Sequence, residues 1–209
     1  MAELDIRLYG DPVLSTRAEE ITTFDSSLRT LAQNMLETMD AAGGVGLAAN
    51  QVGILKRFFV YDCSHTQTGL RGALINPVWT PLGEDMQTGP EGCLSIPGIS
   101  ADTPRHNRVF VSGRDVEGRP VGMAASGLLA RCIQHETDHL DGVLFLRRLG
   151  DADRKAAEDV RQEVTGCPTR PAAATASAPL PPTAPPLASA PPRLPSAPPL
   201  ARLSPAARS

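Results

Sequence analysis

The chain has 209 residues, 41% of them hydrophobic, and a net charge of −3, which suits one globular domain or one domain with an appendage. This mildly acidic balance does not favour electrostatic binding of nucleic acid. No apolar run approaches the length of a membrane span, and the N-terminus lacks the apolar stretch of a secretory signal, so we expect a cytoplasmic protein without membrane attachment.

The first predicted element is a helix from about Ser26 to Asp40. Its apolar residues recur at i, i+3 and i+4 spacing, which places them on one face. Asp25 or Ser26 can cap the start of this helix, and the pair Gly43-Gly44 can end it.

Short strands are predicted next, in apolar segments bounded by turn residues. They cover Arg57–Asp62, Ala73–Trp79 and Cys93–Pro97. A β-hairpin is predicted from Arg108–Asp115 and Arg119–Ser126, which flank a turn.

Two further helices are predicted after the hairpin. One begins near Ser126 and ends at Gly142, and a charged one covers Asp151–Val164. The order of elements predicts an α+β fold, with short, mainly antiparallel strands packed around a central helix.

The composition changes abruptly near Gly166. Residues 166–209 hold 13 of the 20 prolines, four arginines and no acidic residue. Such a segment has little to bury and few backbone donors, so we expect a disordered Pro/Ala-rich tail. Residues 1–165, with the remaining charge of −7, are then the globular domain.

The segment QHETDHLDG, residues 134–142, carries the strongest chemical signal. His135 and His139 lie one helical turn apart on the same face, which suits two imidazole ligands of one metal ion. Glu136 lies close enough to act as a general base on water beside that ion. Asp138 and Asp141 are expected to orient ligands or face solvent rather than to bind metal.

A third protein ligand is not decided by this spacing. Position 145 is Phe and no histidine follows His139, which excludes a third histidine downstream. Glu158 and Glu163 are candidates in the charged helix, and Cys93, in the segment EGCLS (residues 91–95), is a candidate upstream. In a reducing compartment this cysteine is not needed for a disulfide.

A glycine-rich segment, GGVGLAANQ (residues 43–51), is the third candidate. Closely spaced glycines allow a substrate to approach the backbone, and Gln51 adds a neutral donor. No Gly-Lys-Ser/Thr follows, so this is not a phosphate-binding loop.

Together, GVGLAANQ, EGCLS and QHETDH resemble the three signature motifs of the peptide deformylases, in the right order. The resemblance extends over about residues 5–150. It implies Cys93, His135 and His139 as metal ligands, Glu136 as acid/base, and Gln51 with the backbone N–H of Leu94 as oxyanion donors.

The resemblance also implies the reaction and its partners. It implies a metal-dependent hydrolase that removes the formyl group from N-formylmethionyl nascent peptides, with Fe²⁺ as the ion and Zn²⁺, Ni²⁺ or Co²⁺ as alternatives. We expect a monomer. Because Asp151–Val164 has five acids against three bases, docking on the ribosome through this helix is not favoured, and a transient association stays open.

Two other functions are compatible with the segment QHETDHLDG alone. A zinc endopeptidase would use Glu158 as third ligand, and a metal-stabilised binding module would have no open coordination position. Neither accounts for EGCLS or GVGLAANQ.

Overall fold

The computed structural model describes residues 3–66, 69–152, 154–156 and 159. These residues include two complete α-helices, seven β-strands and further helical residues from 151 onward. The helices are α1 (Ser26–Ala41) and α2 (Gly127–Leu140). The strands are β1 (Gly46–Ala48), β2 (Phe58–Cys63), β3 (Leu70–Pro81), β4 (Met86–Cys93), β5 (Ile96–His106), β6 (Arg108–Arg114) and β7 (Pro120–Ser126). Short 3-10 helices lie at Pro12–Ser15, Ala49–Val52 and Phe145–Arg148.

The strands form two antiparallel sheets. The larger has the order β1-β2-β3-β6-β7, and β4 pairs with β5 in a separate hairpin. The predicted hairpin corresponds to β6 and β7, whose register joins Arg108 to Ser126 and Arg114 to Pro120. The α+β fold with antiparallel strands is therefore confirmed.

Helix α1 forms where its apolar spacing predicts it. Asp25 is the N-cap, and its Oδ1 accepts hydrogen bonds from the backbone N–H groups of Ser27 and Leu28 at 2.9 and 3.1 Å. Gly43, with a φ of +68°, follows the helix end in the left-handed conformation that glycine adopts without strain. The buried face of α1 packs in one core cluster with residues of β2 and of the 3-10 helix Ala49–Val52.

Helix α2 is the central helix of the prediction. Every residue from Leu129 to Leu140 is buried, and the helix packs against both the large sheet and β5. Gly142 ends it with a φ of +72°, and a Cβ there would lie 2.7 Å from the carbonyl oxygen of Ser15. Only glycine allows this close approach of the helix end to the segment before it. Ser126 holds the N-cap position, although its side chain makes no capping hydrogen bond.

The predicted strand Cys93–Pro97 is wrong. Cys93 ends β4, Leu94 and Ser95 form the turn, and β5 begins at Ile96. The sequence did not predict this hairpin because its strands carry Thr, Gly, Pro and charged residues instead of an apolar alternation. Its backbone groups pair across the two strands even though few of its side chains are buried.

Part of the prediction for the C-terminal region lies outside the described residues. Residues 151, 152, 154–156 and 159 are helical, in agreement with the charged helix, but the rest of that helix and the Pro/Ala-rich tail are not among them. Glu158 and Glu163, the downstream ligand candidates, also lie outside. None of the helices in the described part of the chain is long and apolar enough to cross a membrane.

Candidate metal centre

Cys93, His135 and His139 meet where the turn of the β4–β5 hairpin faces α2. The Nε2 atom of His139 lies 3.2 Å from both the Sγ of Cys93 and the Nε2 of His135. All three ligand atoms lie within 4.8 Å of one another. Sulfur and nitrogen ligands placed 2.0–2.3 Å from one tetrahedral ion are roughly 3.4–3.6 Å apart, so the spacing fits one ion.

The hydrogen bonds of His135 also fit metal binding. Its Nδ1 lies 2.7 Å from the Oε1 of Glu91, which directs the other ring nitrogen, Nε2, to the cluster. Burial lowers the pKa of His135, but contacts with Cys93 and Glu91 outweigh burial and raise it well above the ordinary value. An ion that binds here must therefore displace a proton. Burial lowers the pKa of His139, which keeps its ring neutral and able to bind.

Glu91 itself is held by a buried network of charges. Arg105 donates to its two oxygens at 2.6 and 3.1 Å, and Arg131 donates at 2.8 Å. Burial opposes ionisation of Glu91, but bonds from His135 and Arg105 outweigh it and hold its pKa well below the usual range. Arg105 also donates to Asp138 at 2.6 Å. Asp138 therefore acts on the arginine that holds Glu91 and does not touch the cluster directly.

Sequence reasoning missed most of this network. The sequence predicts that Asp138 orients ligands or faces solvent; in the structure it lies buried between Arg105 and Arg148. Asp141 is half-buried and accepts a hydrogen bond from Arg57 at 2.7 Å. The available signal was the position of Glu91, an acidic residue two places before Cys93 in a motif already singled out.

Glu136 is buried beside the cluster with one carboxylate oxygen, Oε2, unpartnered among the described residues. Burial raises its pKa to about 7; the neighbouring His135 acts in the opposite direction. Its other oxygen fits only because residue 46 is glycine, since a Cβ there would lie 2.3 Å from Oε1. The carboxyl group can therefore exchange a proton near neutral pH.

Gln51 reaches the cluster from the 3-10 helix Ala49–Val52. Its Oε1 accepts a hydrogen bond from the backbone N–H of Ala48 at 2.8 Å, which turns the amide nitrogen toward the site. That nitrogen lies 3.2 Å from the Oγ of Ser95 and 3.7 Å from the Sγ of Cys93. Leu94 occupies the hairpin turn directly after Cys93. The structure thus brings all six predicted site residues to one place.

A cavity of about 520 Å³ opens beside the cluster. Cys93, His135 and Glu136 lie on its wall, as does Gln51. Much of the remaining wall is apolar. It is formed by the loop before β1, the β4–β5 hairpin and the first turns of α2, and it includes Val45, Leu94, Ile96, Ile99, Leu128 and Cys132. The site can therefore bind an apolar side chain next to groups that exchange protons and donate hydrogen bonds.

The substitution Glu91→Gln should destabilise the protein by about 3–5 kcal/mol, because Arg131 loses its buried counter-charge and Arg105 keeps only that of Asp138. Urea unfolding at pH 7 measures this, with Glu117→Gln as control. Glu117 pairs with Arg119 on the surface, so its loss should cost at most about 1 kcal/mol. Equal midpoints for the two variants would contradict the prediction.

The ionisation of Glu91 should also make the free energy of unfolding depend on pH. The pKa of Glu91 in the folded protein lies below its ordinary value of 4.5. Its contribution to stability is therefore fully present above about pH 4.5 and is lost as the pH falls further. The difference in unfolding free energy between wild type and Glu91→Gln should stay constant above about pH 5 and narrow as the pH falls to 3.

The amino-acid sequence is similar to a known protein family and to several of its members. Residues 3–155 match the family described as Polypeptide deformylase. The chain is 63% identical over 160 residues to Peptide deformylase 1 of Corynebacterium efficiens and 65% identical over 160 residues to that of Corynebacterium glutamicum; each alignment covers 77% of this chain and 95% of the relative.

Solved structures agree with these relatives. A peptide deformylase from Synechococcus elongatus in complex with actinonin superposes with a TM-score of 0.71 at 44% identity, over 76% of this chain and 87% of that one. The peptide deformylase of Thermus thermophilus gives a TM-score of 0.69 at 43% identity, over 76% and 92%.

Proposed function

This chain belongs to the polypeptide deformylase family, and we propose that Cys93, His135 and His139 hold the metal ion of its reaction. The enzyme removes the N-formyl group from the N-terminal formyl-methionine of newly synthesised proteins and releases formate. One observation carries the assignment of the site: three ligand atoms lie within 4.8 Å of one another at a cavity that also holds an unpartnered buried carboxylate oxygen.

Glu136 is proposed as the acid and base of the reaction. When bound, the ion supplies acidity, since a divalent metal can lower the pKa of water from 15.7 to about 7. Glu136 takes the proton of the attacking water as that water adds to the formyl carbon. It then delivers a proton to the amine as the carbon–nitrogen bond breaks, which leaves formate and a free N-terminus. Its buried position and its pKa of about 7 support this role.

Gln51 and the backbone N–H of Leu94 are proposed to stabilise the oxyanion. Attack on the formyl carbon places negative charge on its oxygen, and a donor positioned beforehand typically contributes about 2.7–4 kcal/mol. The amide nitrogen of Gln51 already faces the site because its oxygen is bound by Ala48. Both donors are neutral, so they do not titrate in the working range.

The apolar part of the cavity is proposed to bind the methionine side chain. Val45, Leu128 and Cys132 lie on its wall, and Leu128 is 37% exposed there. An unbranched thioether fits such a surface well.

Fe²⁺ is proposed as the ion in the native enzyme. One thiolate and two imidazoles suit several divalent metals, and affinity alone favours Zn²⁺ over Fe²⁺. Loading therefore depends on metal supply and oxygen. Metal analysis of protein purified without oxygen identifies the ion, and we expect one equivalent of iron.

The direct test of function is formate release from formyl-Met-Ala-Ser by protein purified without oxygen. Acetyl-Met-Ala-Ser is the matched control, because it differs by one methyl group at the carbon that is attacked. We expect rapid turnover of the formyl peptide alone. Internal cleavage of a longer peptide without formate release would instead indicate an endopeptidase.

Residues 1–165 are proposed as the catalytic domain, with residues 166–209 dispensable for catalysis. The family match over residues 3–155 and the composition of the tail support this division. Deletion of residues 166–209 should leave the melting temperature and the turnover number nearly unchanged. A truncated protein that melts several degrees lower would show that these residues pack on the domain.

The remaining proposals concern the cellular setting. A cytoplasmic monomer that meets nascent chains, with at most a transient association with the ribosome, is consistent with the substrate. Sedimentation of the enzyme alone and with purified ribosomes tests both points.

A further inference from the structure

The first residues of the described chain lie across the two loops that carry the proposed oxyanion donors. The backbone N–H of Arg7 donates to the carbonyl oxygen of Gln51 at 2.7 Å, and that of Tyr9 donates to the carbonyl oxygen of Ser95 at 2.8 Å. Ser95 directly follows Leu94 in the hairpin turn. We propose that Arg7 to Tyr9, the N-terminal clamp, is a positioning element of the catalytic site that sets the distance between Gln51 and the Leu94 N–H.

The hairpin turn lies between two core clusters, and only one of them contains the Gln51 loop. Ala49 and Val52, on either side of Gln51, belong to the cluster formed with α1, and the side chain of Leu94 packs against it. Ile96, directly after Ser95, belongs to a separate cluster with Leu14 and the segment that follows α2. A change in the second cluster would shift the backbone of the turn relative to Gln51, and misplacement by 1 Å can cost about 10²-fold in rate.

A third hydrogen bond completes the connection. The amide nitrogen of Gln51 donates to the Oγ of Ser95 at 3.2 Å, and Ser95 is fully buried. Ser95 therefore accepts from Tyr9 through its carbonyl and from Gln51 through its hydroxyl. The clamp, the Gln51 loop and the hairpin turn are linked pairwise, so the position of each depends on the other two.

The side chains of the clamp contribute little burial. Leu8 is 55% exposed and Tyr9 is 36% exposed. The guanidinium group of Arg7 lies over Gly53, where a Cβ would be 2.9 Å from its Nε. The segment is exposed and its two backbone N–H groups join it to both loops of the site, which suits positioning better than core packing.

Proline at position 9 removes one of these N–H groups together with the tyrosine side chain, and the turn at this position accepts proline. The N–H of Asp11 donates to the carbonyl oxygen of Leu8 at 3.0 Å, and Gly10 has a φ of +105°. This is the pattern of a type II turn with glycine in its third position, and proline is favoured in its second position, which is Tyr9. Tyr9→Ala, which keeps the N–H, is the matched control for loss of the side chain.

The experiment compares kcat, KM and metal content of Tyr9→Pro and Tyr9→Ala on formyl-Met-Ala-Ser. We expect kcat of Tyr9→Pro to fall about tenfold to 10²-fold below that of Tyr9→Ala, with KM and metal content unchanged. The pair Arg7→Pro and Arg7→Ala repeats the test at the Gln51 end. Equal kcat within each folded pair overturns the proposal, and so does loss of folding in both proline variants, since the N–H groups would then serve stability.

This inference rests on the proposed roles of Gln51 and Leu94, and Gln51→Ala separates the two. If Gln51→Ala is slow while Tyr9→Pro matches Tyr9→Ala, the clamp alone is wrong. If Gln51→Ala turns over at the wild-type rate, the assignment of Gln51 as an oxyanion donor is wrong, whatever the clamp does.

The double variant of Tyr9→Pro with Gln51→Ala tests the coupling between the clamp and Gln51. Proline should lower kcat by a smaller factor in the Gln51→Ala background than in the wild-type background, because one of the two positioned donors is already absent. Equal effects in both backgrounds indicate a general structural role and count against the clamp.

Discussion

Glu136→Gln should keep its metal ion and lose about 10²–10⁴-fold in turnover, the amount usually attributed to a positioned acid or base. Glutamine keeps the size of the side chain but cannot take up a proton at neutral pH. The three proposed ligands Cys93, His135 and His139 are untouched, so metal stoichiometry should equal that of wild type. Metal content and formate release measured on the same samples decide this.

The pH profile distinguishes Glu136 from the oxyanion donors. A general base must be ionised, so wild-type kcat/KM should fall as the pH drops through the pKa of Glu136, which burial places at about 7 and a bound cation would lower. Glu136→Gln should lack this limb. Gln51→Ala, the matched control, should be slower by a factor that does not change with pH, because an amide does not titrate.

Measurements from pH 5.5 to 9 test this difference. A fully metallated Glu136→Gln that releases formate at near the wild-type rate would show that Glu136 is not the acid or base.

Cys93→Ser should lower the affinity for the metal by at least about 10²-fold. Loss of a residue that only supports a ligand typically costs about 10–100-fold, and loss of a ligand itself should cost more. The thiolate is the only anion among the three proposed ligands, and a serine hydroxyl replaces it poorly at neutral pH. Because the ion binds the folded protein, its loss should also lower the melting temperature. Metal content after dialysis against a chelator measures the effect.

Cys132→Ser is the matched control for metal retention. Cys132 lies on the wall of the same cavity and is 3% exposed, but its Sγ donates to the carbonyl oxygen of Val45 at 3.4 Å instead of joining the cluster. It should retain the ion through dialysis. Full occupancy in Cys93→Ser would remove Cys93 from the ligand set.

The sequence alone determined those features that depend on residues near one another in the chain. His135 and His139 share a helix face because four residues span about one turn, so their pairing follows from periodicity. Asp25, Gly43 and Gly142 end or begin helices through local backbone geometry, and the β6–β7 hairpin follows from two apolar strands around a turn. Cys93 and Gln51 were candidates from their own segments, and the resemblance of those segments to family motifs gave them their roles.

The tertiary structure decided what depends on residues far apart in sequence. Glu91 is 44 residues from His135, and Arg105 is 33 residues from Asp138, yet these side chains form one buried charge network. From the sequence alone, charged residues such as these are predicted to be exposed to solvent, because an isolated charge is costly to bury. Their burial here depends on oppositely charged partners that are far away in the sequence.

The contacts of the N-terminal clamp could not be predicted from the sequence for a related reason. Its contacts with Gln51 and Ser95 are made by backbone N–H groups, which every residue except proline possesses. No side-chain pattern marks such a contact before the chain has folded. The β4–β5 hairpin was not predicted for the same reason, since backbone hydrogen bonds hold its polar strands together and place Cys93 at their turn.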